Sequence, residues 1–587
     1  MDSKFKIESV SAQRKQKILW WILAAALIAG FQLLRLNQLN IPWVNDDEMG
    51  YWGNAAYFAG HDWSGILQYG NYYSFGYGVI LAPLFAIFKN PVILYRAAIF
   101  LNVLFLIIAF ALAYKTAEQI YPKIDVRMNI VLSMISVLTS GAVVEAEIAW
   151  SETLILLLTW LLMFCFVKYL YTEKNRYFYL FLIGNVLIYM VHQRMVGIVI
   201  ASSMMLVYCV YKKGVSKKQL LIAGVIIILG LFFASWIKEY TQTALWAKDV
   251  VGSKISAQNV NDYSGQMDKL KLIFSSPENF LDFTLLAFGK LLYFSFASYL
   301  GVYLVAYSWI HNCIKKENTK ETIVLQYVLL SIMGMIAITT IGMYPTVRND
   351  ATIYGRYSES LTGPVILLAF GNLLNFWRTE VKEKMLVIGF GAVLDTIIAY
   401  IVALALWQPD MTPFSLNCIA MGRYIEGNTF LLGKFIGELW IMTGILLIII
   451  FLYAYRTKAA YGLLSLALLF VYNNEAFIFE LHIENWQDIK KDVLRMLQDN
   501  AVYLNNSENE TVYYMLQGDF NKDANRSTLQ FAMQDKTVVC VDIYNYEDKL
   551  GEAETLFIDS ECPVLQDIIK EYDVLDQSGT LLLCQKR

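Results

Sequence analysis

Three adjacent carboxylates, Asp46, Asp47 and Glu48, follow the first apolar run of this 587-residue sequence. Adjacent carboxylates repel one another, so they favour water, a bound cation, or a site that uses one of them as a base. A solvated acidic turn or a helix N-terminus accommodates them equally well, because aspartate is favoured there. The surrounding segment is rich in Trp and Tyr, which are typical of the membrane interface and also suit the face of a sugar ring.

A second acidic group, Glu145, Glu147 and Glu152, lies between two later apolar runs. Ionisable residues at membrane depth are costly and tend to face cavities, although solvation at the interface explains them as well. Asp46 and Glu147 together offer oxygen ligands of the kind that Mg²⁺ and Mn²⁺ prefer. The sequence leaves open whether a metal is bound.

Three arginines, Arg96, Arg194 and Arg356, stand at the ends of apolar runs. A guanidinium binds phosphate through charge-assisted hydrogen bonds. An arginine at a helix end can also extend toward lipid headgroups. His192, next to Arg194, is expected to be a hydrogen-bonded turn residue rather than a catalyst. The seven cysteines and four histidines are scattered without the spacing of a zinc site.

The elements that position these residues are predicted from hydrophobicity. The residues are 57% hydrophobic and 17% charged, whereas an average soluble chain is about 45 to 50% apolar and about 25% charged. Apolar runs long enough to cross about 30 Å of hydrocarbon recur along roughly the first 480 residues. They predict about thirteen transmembrane helices, centred near Ala26, Ala109, Met134, Leu158, Ile183, Met204, Ile227, Leu300, Met333, Leu368, Ala392, Leu447 and Leu466. A shorter run, residues 75–88, predicts an interfacial or re-entrant segment.

Lys and Arg in the short loops predict the orientation of these helices, because positive residues are retained on the cytoplasmic side. Lysines and arginines precede the first helix and recur in every second loop. The opposite loops are therefore expected outside the cytoplasm: residues 37–74, 145–150, 192–195, 237–286, 344–359, 407–430 and everything after about residue 480. The predicted location is the plasma membrane, with membrane lipids around a multi-pass chain.

The composition becomes polar after residue 480. A helix is predicted at Trp486–Gln498, followed by strands at Val512–Leu516, Val538–Ile543 and Thr580–Cys584 and a helix at Leu565–Tyr572. We therefore expect a polytopic α-helical membrane protein, with a transmembrane domain over residues 1–480, a large first outer loop over 37–74, and a small extracytoplasmic α/β domain over 481–587. The net charge of −3 and the lack of a basic tract argue against a nucleic-acid partner.

The first outer loop also carries a recognisable pattern, in which Asp47-Glu48 is followed by Tyr51, Ala55 and Ala56. This pattern resembles the signature of the GT-C polytopic glycosyltransferases, a superfamily that includes the protein O-mannosyltransferases and the lipid A aminoarabinose transferase. The likeness extends over about residues 18–380, and its further points are Tyr77-Gly78, Pro83, Arg96, Ser151-Glu152 and Arg356-Tyr357.

The resemblance implies transfer of a sugar, with inversion, from a polyprenyl-phosphate donor to an envelope glycan, lipid or protein outside the cytoplasm. It implies that Asp47 is the general base, with Asp46 and Glu48 as neighbouring candidates. Arg356 with Tyr357 matches the phosphate-binding position best, followed by Arg194 and then Arg96. The resemblance places Glu145, Glu147 and Glu152 near the active centre, in contact with the acceptor or a metal. Some members of the superfamily need no metal.

Two other functions fit a chain with this many spans. A transporter or flippase of a lipid-linked saccharide would be expected to carry charges inside its helices and inverted repeats. Here the notable charges lie at outer helix ends, which favours the enzyme. An envelope glycan polymerase would have its catalytic loops later in the chain, and the predicted 237–286 loop is consistent with that alternative.

Overall fold

The protein is described by a computed structural model over residues 2–68, 72–213, 215–246, 265–317, 319–346, 349–375, 381–405, 418–426, 429–455, 457–506, 510–516, 525–544, 546–551 and 553–587. The backbone of Asp46 is helical, but its side chain lies outside the described part.

The described part of the chain contains ten helical segments that are long and apolar enough to cross a membrane. The helices that form them are Asp2–Leu33, Pro91–Ile120, Glu152–Thr172, Val196–Lys213, Lys217–Leu245, Pro277–Ala297, Lys320–Met343, Val381–Ala405, Leu432–Tyr455 and Tyr461–Ile478. Val126–Ile135 and Ser140–Ala146 meet at 66° and add an eleventh span if the bent pair is counted as one. Two shorter apolar helices are Gly76–Ile87 and Asn175–Val191. This architecture confirms the predicted polytopic membrane fold.

Two further predicted spans also differ from single long helices. The run centred near Leu300 is divided into Pro277–Ala297 and Gly301–Ile314, because Tyr299 and Leu300 both adopt positive φ angles, 55° and 61°. The run near Leu368 forms Glu359–Asn375, a helix of 17 residues. Hydrophobicity does not report such a break, since the residues on both sides of it are apolar.

The predicted 237–286 loop is shorter than expected. Helix Lys217–Leu245 extends into its first part. Helix Gln266–Ile273 and the start of Pro277–Ala297 occupy its last part, and residues 247–264 lie outside the described residues.

The described part of the first loop, residues 37–74, forms a packed helical layer and does not extend into solvent as an open loop. Its main helix, Asn45–Phe58, packs against Gly76–Ile87, where a Cβ on Gly78 would lie 2.5 Å from the Asn54 Cβ. Trp52 and Trp63 are completely buried in this layer. Most of the loop's aromatic rings are thus core residues, and those rings are not open platforms for a sugar.

The C-terminal part contains a five-stranded sheet. A short antiparallel pair, β1 (Ile425–Glu426) and β2 (Thr429–Phe430), comes before it in the chain. The sheet consists of β3 (Thr511–Leu516), β4 (Thr537–Asp542), β5 (Thr555–Asp559), β6 (Tyr572–Ser578) and β7 (Leu581–Lys586), in the order β4-β3-β5-β7-β6. Strand β3 pairs in parallel with β4 and β5, whereas β7 is antiparallel to β5 and β6.

Strands β5 and β6 were not expected from the sequence, and the helix predicted at Leu565–Tyr572 is only Leu565–Ile568. The outer strand β6 has largely exposed side chains, so it lacks the apolar run by which a buried strand is recognised. The other helices of this part are Asn485–Asp499, Ala501–Asn506, Asn525–Ala532 and Tyr546–Leu550. A π-helical segment, Phe479–Glu484, joins Asn485–Asp499 to the last span.

The C-terminal part packs against the first loop. The Trp63 indole N–H donates to the Gln534 carbonyl at 3.3 Å, and the Thr537 hydroxyl donates to the Asp62 carbonyl at 3.2 Å. The rings of Trp52 and Phe531 lie 5.0 Å apart. The C-terminal part and the first loop therefore occupy the same end of the helix bundle.

Candidate active site

A cavity of about 440 Å³ lies between the first loop, the short turn Gln193–Met195 and the segment that precedes helix Glu359–Asn375. Its polar lining includes Asp47, Tyr73, Ser74, His192, Arg194, Arg356 and Tyr357. Its apolar lining includes Leu270, Ile338, Ile341 and Met343. These seven polar residues come from loops that the charge pattern assigns to one side of the membrane. The cavity is thus amphipathic, because charged and aliphatic side chains both line it.

Asp47 presents its carboxylate to this cavity from the first turn of helix Asn45–Phe58. Its Oδ1 accepts a short hydrogen bond from the Tyr73 hydroxyl. Its Oδ2 accepts from Arg356 Nη1 at 2.6 Å. The side chain is 24% exposed, whereas that of Arg356 is 5% exposed. Asp47 is therefore the accessible member of a charged group that is otherwise buried.

Glu152 joins the two cavity arginines. Its Oε1 accepts from Arg356 Nε and from Arg194 Nη2, each at 2.7 Å. Its Oε2 accepts from the Ser151 hydroxyl at 2.9 Å, and Ser151 in turn lies 2.7 Å from the Tyr51 hydroxyl. Asp47, Arg356, Glu152 and Arg194 thus form a row of alternating charge, which we call the charged row.

Arg356 lies at the centre of the charged row, stacked over the Trp150 ring at 3.8 Å. Burial lowers the pKa of Arg356, but Glu152 and Asp47 raise it more, so the guanidinium stays charged. The backbone just before Arg356 passes close to the Tyr293 ring. This close approach requires glycine at position 355, where a Cβ would lie 1.7 Å from that ring. The carboxylate of the nearby Glu359 accepts a hydrogen bond from the Tyr293 hydroxyl.

Arg194 forms the other end of the charged row. Its guanidinium lies 4.1 Å from the centre of the Tyr357 ring. Its Nε is buried and has no hydrogen-bond partner within the described residues. Burial, together with the charges of Arg194 and Arg356, lowers the pKa of His192 well below its usual range. Neutral His192 accepts from the Arg194 backbone N–H at 3.3 Å, which is the turn role expected from the sequence.

Glu48 lies outside the cavity, although it directly follows Asp47. Its Oε2 accepts from the backbone N–H groups of Trp43 and Val44 at 2.8 and 2.9 Å. Its Oε1 accepts from the Ala149 N–H and the Tyr95 hydroxyl at 3.0 and 2.8 Å. Burial raises the pKa of Glu48 despite these donors. Because each oxygen of Glu48 accepts two hydrogen bonds and the side chain is fully buried, Glu48 holds backbone segments together and is not available to a substrate.

Arg96 also lies away from the cavity. It donates to the Leu39 carbonyl at 3.0 Å, to the Asn37 carbonyl at 2.6 Å and to the Asn40 side chain at 2.8 Å. These bonds fasten the segment that leaves the first helix. The expectation that Arg96 binds a donor phosphate is therefore not supported by its position.

Glu145 and Glu147 are buried and are not among the residues that line the cavity. Each has one carboxylate oxygen with no hydrogen-bond partner in the described part of the chain. Glu147 interacts electrostatically with Arg35 and Glu475, which form an ion pair at 2.7 Å. Among the residues that the structure describes, no group of three His, Cys, Asp or Glu side chains is arranged to hold a metal ion. The predicted pairing of Glu147 with Asp46 involves a side chain, that of Asp46, which lies outside the described residues.

Two residues of the site were not singled out from the sequence: Tyr73, which donates to Asp47, and Trp150, on which Arg356 stacks. The Trp150-Ser151-Glu152 triplet was a usable signal, because an indole adjacent to a buried carboxylate suits a stacked arginine. No local signal distinguishes Tyr73 from the other aromatic residues of its loop.

No family model matches the sequence, and no curated protein matches it. Solved structures do share its architecture. ArnT from Cupriavidus metallidurans in the apo state superposes with a TM-score of 0.53 at 9% identity, covering 96% of this chain and 97% of that chain. This chain has the GT-C fold. ArnT bound to undecaprenyl phosphate also gives a TM-score of 0.53, at 10% identity and the same coverage.

The GT-C fold was expected from the first-loop pattern and is confirmed by this similarity, which is one of fold. The oligosaccharyltransferase of Archaeoglobus fulgidus gives a TM-score of 0.42 at 11% identity, covering 93% of this chain and 70% of that chain.

Proposed function

We propose that this GT-C chain is a membrane glycosyltransferase that transfers a sugar from a polyprenyl-phosphate donor to an envelope glycan, lipid or protein. The observation that carries the proposal is the amphipathic cavity, which is lined both by Asp47 and Arg194 and by aliphatic side chains. A carboxylate base, a cationic phosphate site and an apolar wall are the three features that a lipid-phosphate sugar requires. The fold shared with ArnT, which was solved in complex with undecaprenyl phosphate, supports the same donor class.

In this proposal Asp47 is the general base. It removes the proton of the acceptor hydroxyl as the oxygen attacks the anomeric carbon, and the bond from that carbon to the phosphate oxygen breaks with inversion. The electron pair of the broken bond leaves with the polyprenyl phosphate. Tyr73 and Arg356 hold the two oxygens of Asp47 and orient it toward the cavity. Asp46 stays a neighbouring candidate.

Arg194 is the first candidate for the leaving phosphate, ahead of Arg356. Arg356 donates to both Asp47 and Glu152, whereas Arg194 donates to Glu152 and its Nε has no hydrogen-bond partner among the described residues. Stacking on Tyr357 orients the Arg194 guanidinium. Arg356 contributes its charge to the same wall and strengthens the field at the developing phosphate. Glu152 fixes both arginines and does not contact the acceptor directly in this scheme.

The polyprenyl chain is assigned to the aliphatic wall formed by Leu270, Ile338 and Ile341. Two of these residues lie on the transmembrane helix Lys320–Met343, so the tail can remain in contact with lipid. The positive-inside pattern supports an active site and a C-terminal domain, residues 481–587, on the extracytoplasmic side. Residues 1–480 would then form the transferase domain in the plasma membrane.

The test is a transfer assay with purified, reconstituted protein and a radiolabelled polyprenyl-phosphate sugar. The proposal expects release of polyprenyl phosphate together with labelled acceptor, and parallel reactions with EDTA, Mg²⁺ or Mn²⁺ measure metal dependence. Movement of intact donor across the bilayer without cleavage would contradict it and favour a flippase. Growth of a repeating glycan would identify a polymerase instead. Mass spectrometry of envelope glycans and lipids with and without the gene then identifies the sugar and the acceptor.

A further inference from the structure

The segment 40–44, between the first helix and helix Asn45–Phe58, is held in an unusual way. None of its five residues is helical, and each has a backbone group hydrogen-bonded to a side chain. Gln487 accepts from the Asn40 N–H at 2.9 Å and donates to the Ile41 carbonyl at 2.7 Å. Lys490 donates to the Pro42 carbonyl at 2.7 Å. Glu48 accepts from the N–H groups of the remaining two residues.

Gln487 and Lys490 lie one turn apart on helix Asn485–Asp499 of the C-terminal part. Gln487 is 3% exposed and Lys490 is 1% exposed, so both polar groups are fully withdrawn from water. Lys490 is also attracted electrostatically by Glu48. A buried amide and a buried ammonium are costly unless they are bonded, so their partners are fixed in place.

Segment 40–44 is connected to two members of the charged row, Asp47 and Glu152. Helix Asn45–Phe58 begins after Val44, which provides no side-chain cap, and Asp47 follows within its first turn. On the other side, Glu48 binds the N–H of Ala149, directly before the Trp150-Ser151-Glu152 triplet. A shift of segment 40–44 would therefore move Asp47 relative to Glu152 and Arg356.

We propose that Gln487 and Lys490 are positioning residues for sugar transfer, through which the C-terminal part fixes segment 40–44 and thereby aims Asp47. This inference rests on the proposed role of Asp47 as base. It gives the C-terminal α/β part an indirect role in catalysis, since no residue of that part lines the cavity among those described.

The test compares Gln487→Leu and Lys490→Met with Asp488→Leu and Lys491→Met, whose side chains are exposed on the same helix. A displacement of about 1 Å at a reacting group costs on the order of 100-fold in rate, so kcat should fall to that extent in the first pair and stay unchanged in the second. The KM for the donor should stay within about twofold of wild type, because Arg194 and the aliphatic wall are not bonded to the held segment. Lys490→Arg, which retains a charged donor, should recover part of the rate.

Hydrogen exchange separates this inference from the proposed function. Backbone amides of residues 43–48 should exchange faster in Lys490→Met than in Lys491→Met, whether or not the wild type transfers a sugar. Unchanged exchange and unchanged kcat would overturn the positioning role. Equal losses in kcat, donor affinity and thermal midpoint would also overturn it, since they would indicate general unfolding. An inactive wild type with increased exchange in Lys490→Met would contradict only the proposed function.

Discussion

Asp47 and Arg356 are 309 positions apart in the chain, and their side chains meet at 2.6 Å on the wall of the cavity. The contact joins the first loop to the segment before helix Glu359–Asn375. Because Arg356 is buried and also bonded to Glu152, it holds the Asp47 carboxylate against a rigid wall. The part of the molecule proposed to perform the chemistry is thus an assembly of distant segments.

Replacing Asp47 by Asn should abolish transfer. The amide keeps the size of the side chain but cannot accept the proton of the acceptor hydroxyl, and loss of a general base costs about 10² to 10⁴-fold in rate. The measurement is kcat for label transfer by purified protein, with Asp488→Asn as an exposed control. Binding of undecaprenyl phosphate should be retained. Full activity of Asp47→Asn would refute the base assignment.

Replacing Arg194 by Gln should weaken donor binding. A hydrogen bond to a charged group contributes about 1.5 to 3 kcal/mol, so the KM for the donor should rise by about 10 to 150-fold. Arg423→Gln is the matched control, because Arg423 is paired with Glu438 and does not line the cavity. Arg356→Ala should also reduce donor use. Unchanged donor affinity in Arg194→Gln would exclude the phosphate role of that residue.

Replacing Glu152 by Gln should destabilise the fold. The substitution removes the carboxylate that Arg356 and Arg194 share, and it leaves two buried cations with only Asp47. Removing one partner of a buried ion pair costs about 3 to 5 kcal/mol. Thermal unfolding in detergent measures the loss against Glu484→Gln, an exposed control. If the thermal midpoint of Glu152→Gln equals that of the wild type, Glu152 does not hold the charged row together.

Replacing Gly355 by Ala should displace Arg356. The added methyl group would lie 1.7 Å from the Tyr293 ring, so the ring or the turn must move. Such overpacking costs about 1 to 3 kcal/mol, and transfer should fall with it because the next residue is Arg356. Gly389→Ala, which meets no atom within 4 Å, is the control. Equal activity of the two variants would argue against a tight fit at Gly355.

Several features follow from local sequence alone. Membrane helices are visible because a backbone in lipid must satisfy its own hydrogen bonds over a long apolar run. Loop charges assigned Asp47, Arg194 and Arg356 to the same side of the membrane, and the cavity brings these three together. The strands at Thr511–Leu516 and Thr537–Asp542 were visible as short apolar runs.

Which carboxylate faces the cavity was decided only by the tertiary structure. Asp47 and Glu48 are neighbours in sequence, but successive side chains on a helix point about 100° apart. Asp47 therefore reaches Arg356, while Glu48 turns inward to backbone N–H groups. Arg96 and Arg194 looked alike as outer helix-end residues, yet Arg96 donates hydrogen bonds to backbone carbonyls away from the cavity. Sequence patterns report the local direction of the chain, whereas these pairings depend on how segments hundreds of residues apart pack together.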